Sequence, residues 1–305
     1  MMKKYFIIFI LTLLAVVLTG CAEEEEEKTT SFYGGTEGVS VEFKKISPPD
    51  KFNQGEEIPI AVILKNSGEH NIVSGNAMAE IYGINLELFN IPKGYKGTTG
   101  ELRGKGELRA EGGEREIDFG NLRYDEEVIN SRETIIRART CYPYQTKTDI
   151  PICIKSSLSE EAGESVCNVA GEKVTEGTVS SAPIQVTSIT EKTRGSNQVV
   201  FDIKIENQGT GRVYSNDASC EELGDSTINL NKKEKILLEI INPTDVKCGF
   251  RSGEDSNIGI IELDNNEETI TCWMDADDTY TDTLRLTLSY KYTDTTSKQV
   301  TISEK

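Results

Sequence analysis

The sequence predicts an all-β protein, built as two tandem antiparallel β-sandwich modules behind an export leader and an acidic tether. Three observations predict it. From residue 38 onward, short runs of Val, Ile, Thr, Tyr and Phe alternate with Gly, Asn, Asp and Pro, the pattern of strands and turns. The body repeats itself once, in the same order. The first twenty residues have the build of a signal peptide.

The leader comes first. Lys3 and Lys4 form a positive start, and Tyr5 to Leu18 is an almost unbroken apolar run. A spanning helix takes about 20 apolar residues, so this run suits a signal-peptide core better than a membrane span. It closes in Leu18-Thr19-Gly20-Cys21, which resembles the lipobox of lipoprotein signal peptides. That resemblance implies cleavage after residue 20 and a lipid on the Cys21 thiol, so the partner at this end is the membrane. Glu23 to Glu27 follow, a like-charge block that repels itself and stays extended. Residues 21–37 thus read as a lipidated cysteine with an acidic tether.

The repeat is collinear at both ends. Ile58 to Gly68 (IPIAVILKNSG) matches Val199 to Gly209 (VVFDIKIENQG), each a strand closing in Asn-x-Gly. Phe201, Ile203 and Ile205 alternate with Asp202, Lys204 and Glu206, a strand with one wet face. Arg137 to Thr146 matches Arg285 to Asp294, each with a Tyr-x-Tyr followed by a polar turn and a last strand. These matches set module one at 38–158, a polar Gly-rich linker at 159–182 and module two at 183–305. Strands without a convincing helix, in units of this size, pack best as two antiparallel sheets face to face. Tandem modules of this kind on an acidic, lipid-bearing stalk resemble the cell-adhesion-related immunoglobulin-like domains of microbial surface proteins. The Tyr-x-Tyr segments and Ser180 to Ile189 (SSAPIQVTSI) also resemble archaeal surface lipoproteins. The resemblance implies fold and location and carries no catalytic residue across.

Besides Cys21 there are six cysteines, an even number that suggests disulfides outside the cytoplasm. Folding the end of module one into a hairpin centred on Lys147 sets Tyr144 opposite Ile150 and Tyr142 opposite Ile152. Cys141 then faces Cys153, within bridging distance on the solvent side. Closing so short a loop would contribute about 3 kcal/mol. Cys248 and Cys272 both adjoin strands of module two and form the second expected pair. Cys167 and Cys220 are left as a third, although these last four cysteines admit three pairings.

The chain carries 33 basic and 51 acidic residues, a net charge of −18. Phosphate backbones are repelled by such a surface, so nucleic acid is not an expected partner. The single histidine, His70, reads as an exposed turn residue, and there is no Gly-x-Ser-x-Gly, His-Glu-x-x-His or phosphate-loop pattern. Asp275, Asp277, Asp278 and Asp282 lie within one short loop and are the candidate ligands for calcium, a hard cation that takes several oxygens. No other cofactor is expected. Lys93 to Gly113 is glycine-rich and the most basic stretch, with Lys93, Lys96, Arg103, Lys105 and Arg109, a flexible loop suited to an anionic glycan or partner. Tyr142, Tyr144, Tyr290 and Tyr292 fall on inward faces, with hydroxyls expected to reach backbone. Together these features point to a non-enzymatic, lipid-anchored protein on the extracytoplasmic face of the cell membrane, used in adhesion or extracellular ligand binding. The partner would be a surface glycan or a membrane protein. The alternative is a structural accessory subunit of a membrane or envelope assembly.

Overall fold

The computed structural model describes residues 31–155, 167–195, 197–224, 229–253 and 255–305. The signal peptide, Cys21 and the glutamate run lie outside the described residues, as do residues 159–166 of the expected linker. Strands dominate. In the first half they are β1 (Val39–Phe43), β2 (Lys51–Asn53), β3 (Ile58–Asn66), β4 (Met78–Tyr82), β5 (Lys96–Gly97), β6 (Gly113–Leu122), β7 (Ser131–Lys147) and β8 (Ile150–Ile154). In the second half they are β9 (Ile184–Arg194), β10 (Gln198–Asn207), β11 (Arg212–Ser215), β12 (Lys235–Asn242), β13 (Lys247–Gly249), β14 (Asp255–Ser256), β15 (Ile258–Glu262), β16 (Glu267–Asp275), β17 (Tyr280–Thr293) and β18 (Thr295–Ser303). Among the described residues no helix is long and apolar enough to cross a membrane.

Among the described residues the strands form an all-β fold of three sheets. One holds β1, β3 and β6, a second runs β14-β13-β16-β10-β9, and the third is ten-stranded, with β15-β12-β17-β7-β18-β2 as its spine. Period-two patterning decides what is buried. Phe201, Ile203 and Ile205 of β10 are fully inside, while Asp202, Lys204 and Glu206 between them stay partly in water. The apolar faces meet in one core cluster that extends from Val39 to Ile302 and draws on both halves of the chain.

The ten-stranded sheet is organised by a two-stranded antiparallel ribbon. Residues 131–154 run one way and 280–303 run back beside them. Ser131 lies opposite Ser303, Arg139 opposite Thr295, Tyr142 opposite Tyr292, Lys147 opposite Thr287, Ile150 opposite Leu284 and Ile154 opposite Tyr280. Each step along one strand is matched by one step back along the other, with no slip over roughly 80 Å at the usual strand rise. β18 therefore pairs with β7 and β8 with β17: each half's last strand lies against the other half's long strand. At one end β7 sits between β18 and β4, and at the other β17 sits between β8 and β12.

The hairpin expected around Lys147 does not form. Its segment, Gln145-Thr146-Lys147-Thr148-Asp149, has no glycine or Asn-Gly to take the positive φ of a tight turn. The threonines hold the straight path instead. Thr146 Oγ1 donates to Ile184 O at 2.6 Å, Thr148 Oγ1 donates to Leu284 O at 3.2 Å, and Leu286 N donates to Thr148 Oγ1 at 3.0 Å.

This corrects the expected bridge between Cys141 and Cys153. On one extended run, twelve residues separate them by about 40 Å, far beyond disulfide reach. Cys141 is instead bonded to Cys220, with the Cα atoms 5.8 Å apart, and Cys153 to Cys167, at 5.5 Å. The expected Cys167–Cys220 pair is corrected with it, since each of those cysteines is used elsewhere. Cys248 and Cys272 are bonded to each other and stand directly opposite on β13 and β16. The Cys141–Cys220 bridge joins the two halves of the chain and lies in a small second core with Tyr214, Ala218 and Leu223.

Non-reducing peptide mapping should recover these three pairs and no Cys141–Cys153 peptide. The Cys141–Cys220 bridge spans 79 residues of sequence. Replacing both cysteines by Ala should therefore lower stability by about 4 kcal/mol on the chain-entropy estimate, read from the denaturant midpoint. A loss under about 1 kcal/mol would mean that the bridge scarcely restrains the unfolded chain.

Candidate functional site

The polar groups of the interior concentrate where the ribbon passes its midpoint, at Pro143 opposite Lys291. Tyr142, Tyr144, Tyr290 and Tyr292 surround that point. Tyr142 and Tyr144 pack edge to face at 5.6 Å between centroids, Tyr290 and Tyr292 at 6.3 Å, and tilted contacts join the two pairs across the strands. All four rings are buried. Burial raises each phenol above its ordinary pKa, so the hydroxyls stay protonated and able to donate.

The hydrogen bonds of these hydroxyls occur as two matching sets. In one, Tyr144 donates to Asn66 Oδ1 at 2.9 Å and accepts from His70 N at 3.4 Å, and Asn66 Nδ2 donates to His70 O at 2.7 Å. In the other, Tyr292 donates to Asn207 Oδ1 at 2.9 Å and accepts from Gly211 N at 2.9 Å, and Asn207 Nδ2 donates to Gly211 O at 3.1 Å. Likewise, Tyr142 accepts from Val39 N and Tyr290 from Ile184 N, each at the start of a strand. The Asn-x-Gly and Tyr-x-Tyr signals are thus two ends of one device. Its glycine is required by contact: a Cβ on Gly68 would collide with the Tyr144 hydroxyl, and one on Gly209 with that of Tyr292. Sequence reasoning read Asn66 and Asn207 only as turn residues. The signal that could have found them is their recurrence with Tyr-x-Tyr at matching places in both repeats.

Beside this centre the incoming chain is strapped down by Glu69. Its carboxylate accepts from the backbone N–H groups of Tyr33, Gly34 and Ser181. A cleft of about 530 Å³ opens there, lined by Tyr33, Glu69, His70, Lys105, Gln145 and Lys147 among others. His70 is half-buried, its ring edge-on to Tyr144 at 5.3 Å. Burial, and next the charge of Lys147, pushes its pKa down to about 4. It is therefore a neutral, packed imidazole and differs from the exposed turn residue expected. A second cleft of about 470 Å³, lined by Ser31, Asp149, Lys173, Thr178 and Arg285 among others, adjoins it along the ribbon. Residues 167–182 of the expected linker dock on the same face, through Ser180 N to Lys147 O and Asp149 N to Thr178 O.

The other residues singled out in the sequence lie apart from this centre. Asp275 ends β16, Asp277 and Asp278 are exposed in the following turn, and Asp282 lies in β17, accepting from Asn242 Nδ2 at 3.0 Å. They do not converge, and among the described residues no group of three or more His, Cys, Asp or Glu could hold a metal. The glycine-rich stretch is a folded loop: Gly104 packs on the backbone of Gly68, and Gly112 on that of Asn66. Several of its basic groups pair internally, Arg103 with Glu101 and Lys105 with Glu37, while Lys96 lies over Phe119. Its tip, closed by paired backbone bonds between Gly106 and Arg109, projects a fully exposed Leu108.

No family model and no curated protein matches the sequence. Among solved structures the chain is similar to the secreted serine protease VesC from Vibrio cholerae, with 11% identity, a TM-score of 0.19, and coverage of 83% of this chain and 50% of that one. It is also similar to a mutant of the CFA/I adhesin CfaE of enterotoxigenic E. coli, with 9% identity, a TM-score of 0.10, and coverage of 90% and 84%. The chain spans half the length of VesC. Superpositions this loose carry no argument about fold or activity.

Two outcomes test the centre. Tyr144→Phe and Tyr292→Phe should each cost about 1–3 kcal/mol, because each leaves an Asn carbonyl and a backbone N–H without the hydroxyl between them. Near-neutral values for both in urea unfolding would remove the device. The second test is pH. Below its ordinary pKa of about 6.5, His70 takes up a proton in the unfolded chain and in the folded protein only near pH 4. Its contribution is complete above pH 6.5 and falls as the pH drops through that window. Relative to His70→Gln, the wild type should lose up to about 3 kcal/mol between pH 7 and pH 4. Parallel stability profiles would contradict the buried, neutral ring.

Proposed function

We propose that this is a non-enzymatic, lipid-anchored cell-surface protein for adhesion or extracellular ligand binding, made of two immunoglobulin-like β-sandwich modules that exchange their last strands. The observation that carries the reading is the disulfide set. Three bridges, one joining the two halves, suit a chain that folds and stays outside the reducing cytoplasm. The Leu18-Thr19-Gly20-Cys21 lipobox supports the anchor. The interior supports a scaffold role: Tyr144, Tyr292, Asn66, Asn207 and Glu69 all hold backbone in place. Contact with a ligand then falls to loops, and the glycine-rich tip bearing Leu108 is the first choice, an exposed apolar side chain between Glu107 and Arg109.

Two measurements test the proposal. The intact mass of membrane-extracted protein should correspond to a chain beginning at Cys21 with added lipid, and a chain retaining Met1 would end the anchored reading. The folded protein should bind whole cells or an array of anionic glycans, and Leu108→Asp should reduce that binding at least about tenfold without moving the unfolding midpoint. Failure to bind, together with stoichiometric recovery alongside membrane proteins after crosslinking on cells, would overturn adhesion in favour of an accessory subunit.

A further inference from the structure

β15 ends the ten-stranded sheet, and among the described residues no strand lies on its outer side. Its backbone polarity can be read from its neighbour. Ile240 N donates to Asn257 O at 2.8 Å and Leu263 N to Glu234 O at 2.8 Å. In an antiparallel ladder, hydrogen-bonded and non-hydrogen-bonded pairs alternate. Gly259, opposite Leu238, and Ile261, opposite Ile236, therefore direct their N–H and C=O groups at β12. Ile258, Ile260 and Glu262 turn theirs to the open edge, where Ile258 N meets only the hydroxyl of Ser256.

The side chains beside this edge are apolar. Ile258 and Ile260 are each 44% exposed and Ile241 on β12 is 52% exposed, with half-buried Leu237 opposite Ile260. An open strand edge carrying exposed isoleucines is what soluble proteins ordinarily blunt with charge, proline or a bulge.

We infer that this edge pairs with the same edge of a second copy of the chain, antiparallel about a twofold axis through Gly259. That register follows from the parity above. It sets Ile258 of one copy opposite Ile260 of the other, so both pairs use outward-facing backbone groups and join apolar to apolar. Gly259 meets Gly259 as a non-hydrogen-bonded pair, where strands approach most closely. Beyond it, Ser256 and Asp255 are already paired with Cys248 and Gly249 of β13, so the contact between copies is confined to residues 257–261, where no charged side chains stand opposed. On its own strand pair Glu262 already faces Lys235. The net charge of −18 opposes association over longer range, which makes the contact salt-dependent in a definite direction. A five-residue edge is a small interface, so the dimer is weak. The inference does not depend on the proposed adhesive role.

The test is the mass of the full-length, detergent-solubilised chain by light scattering, from low micromolar to about 100 µM. A dimer should form with rising concentration and be favoured in about 0.5 M NaCl over low salt, because screening weakens the repulsion of two acidic bodies. Replacing Ile258 and Ile260 together by Lys should weaken it at least about tenfold, as should replacing both by Glu. Mixing the Lys and Glu proteins should restore a one-to-one heterodimer, a rescue that misfolded variants would not give. A wild type that stays monomeric across the range, variants that dimerise as the wild type does, or a mixture without rescue would each overturn the edge pairing.

Discussion

Everything else in this molecule depends on one constraint: residues 131–154 and 280–303 stay extended beside each other without a turn or a slip in register. Once they do, the last strand of each half has no room to fold back on its own predecessor. β18 completes the sheet around β7, and β8 the sheet around β17. Each of these two strands thus pairs with the long strand of the other half of the chain. The two halves thereby share a sheet and a core.

A ribbon through the middle of a protein carries polar backbone and phenol groups into a dry place, where an unpaired donor or acceptor costs about 1–3 kcal/mol. The protein meets this with the same solution twice. A tyrosine hydroxyl bridges an asparagine carbonyl and a backbone N–H, and the asparagine amide closes the turn that presents them. Glycines at 68 and 209 let the rings come that close. Thr146, at the Tyr290 hydroxyl, and Glu69, at three backbone amides, complete the accounting around the midpoint. The tyrosine hydroxyls, the two asparagines and Glu69 are thus employed in holding the chain.

The disulfides follow the same geometry. Because Cys141 and Cys153 are far apart on one straight run, each must find a partner brought to it by the fold. The partner of Cys141 is Cys220 in the loop after β11, and that of Cys153 is Cys167, in a segment lying along the ribbon. The first bridge locks the exchanged arrangement covalently across the two halves. The second pins the segment that also carries the Lys173–Glu191 ion pair, whose carboxylate is buried and raised in pKa by that burial. Three such bonds suit a protein that folds and stays outside the reducing cytoplasm.

Much of this was legible in the residues alone. The all-β class and the inward tyrosines follow from period-two patterning and turn residues, which are local properties. The even set of six cysteines was legible for the same reason. What the pattern could not decide was partner choice. Period-two patterning sets which side chains face inward, but it does not name the strand that lies alongside. The face that a side chain takes is set within two residues of it. The strand it pairs with is set by whether Lys147-Thr148-Asp149 bends or runs straight, and that is decided by Thr146 and Thr148 bonding to backbone more than thirty residues away. The cysteine pairing, the meeting of Asn66 with Tyr144 and of Asn207 with Tyr292, and the burial of His70 all hang on that choice. Only the tertiary structure makes it.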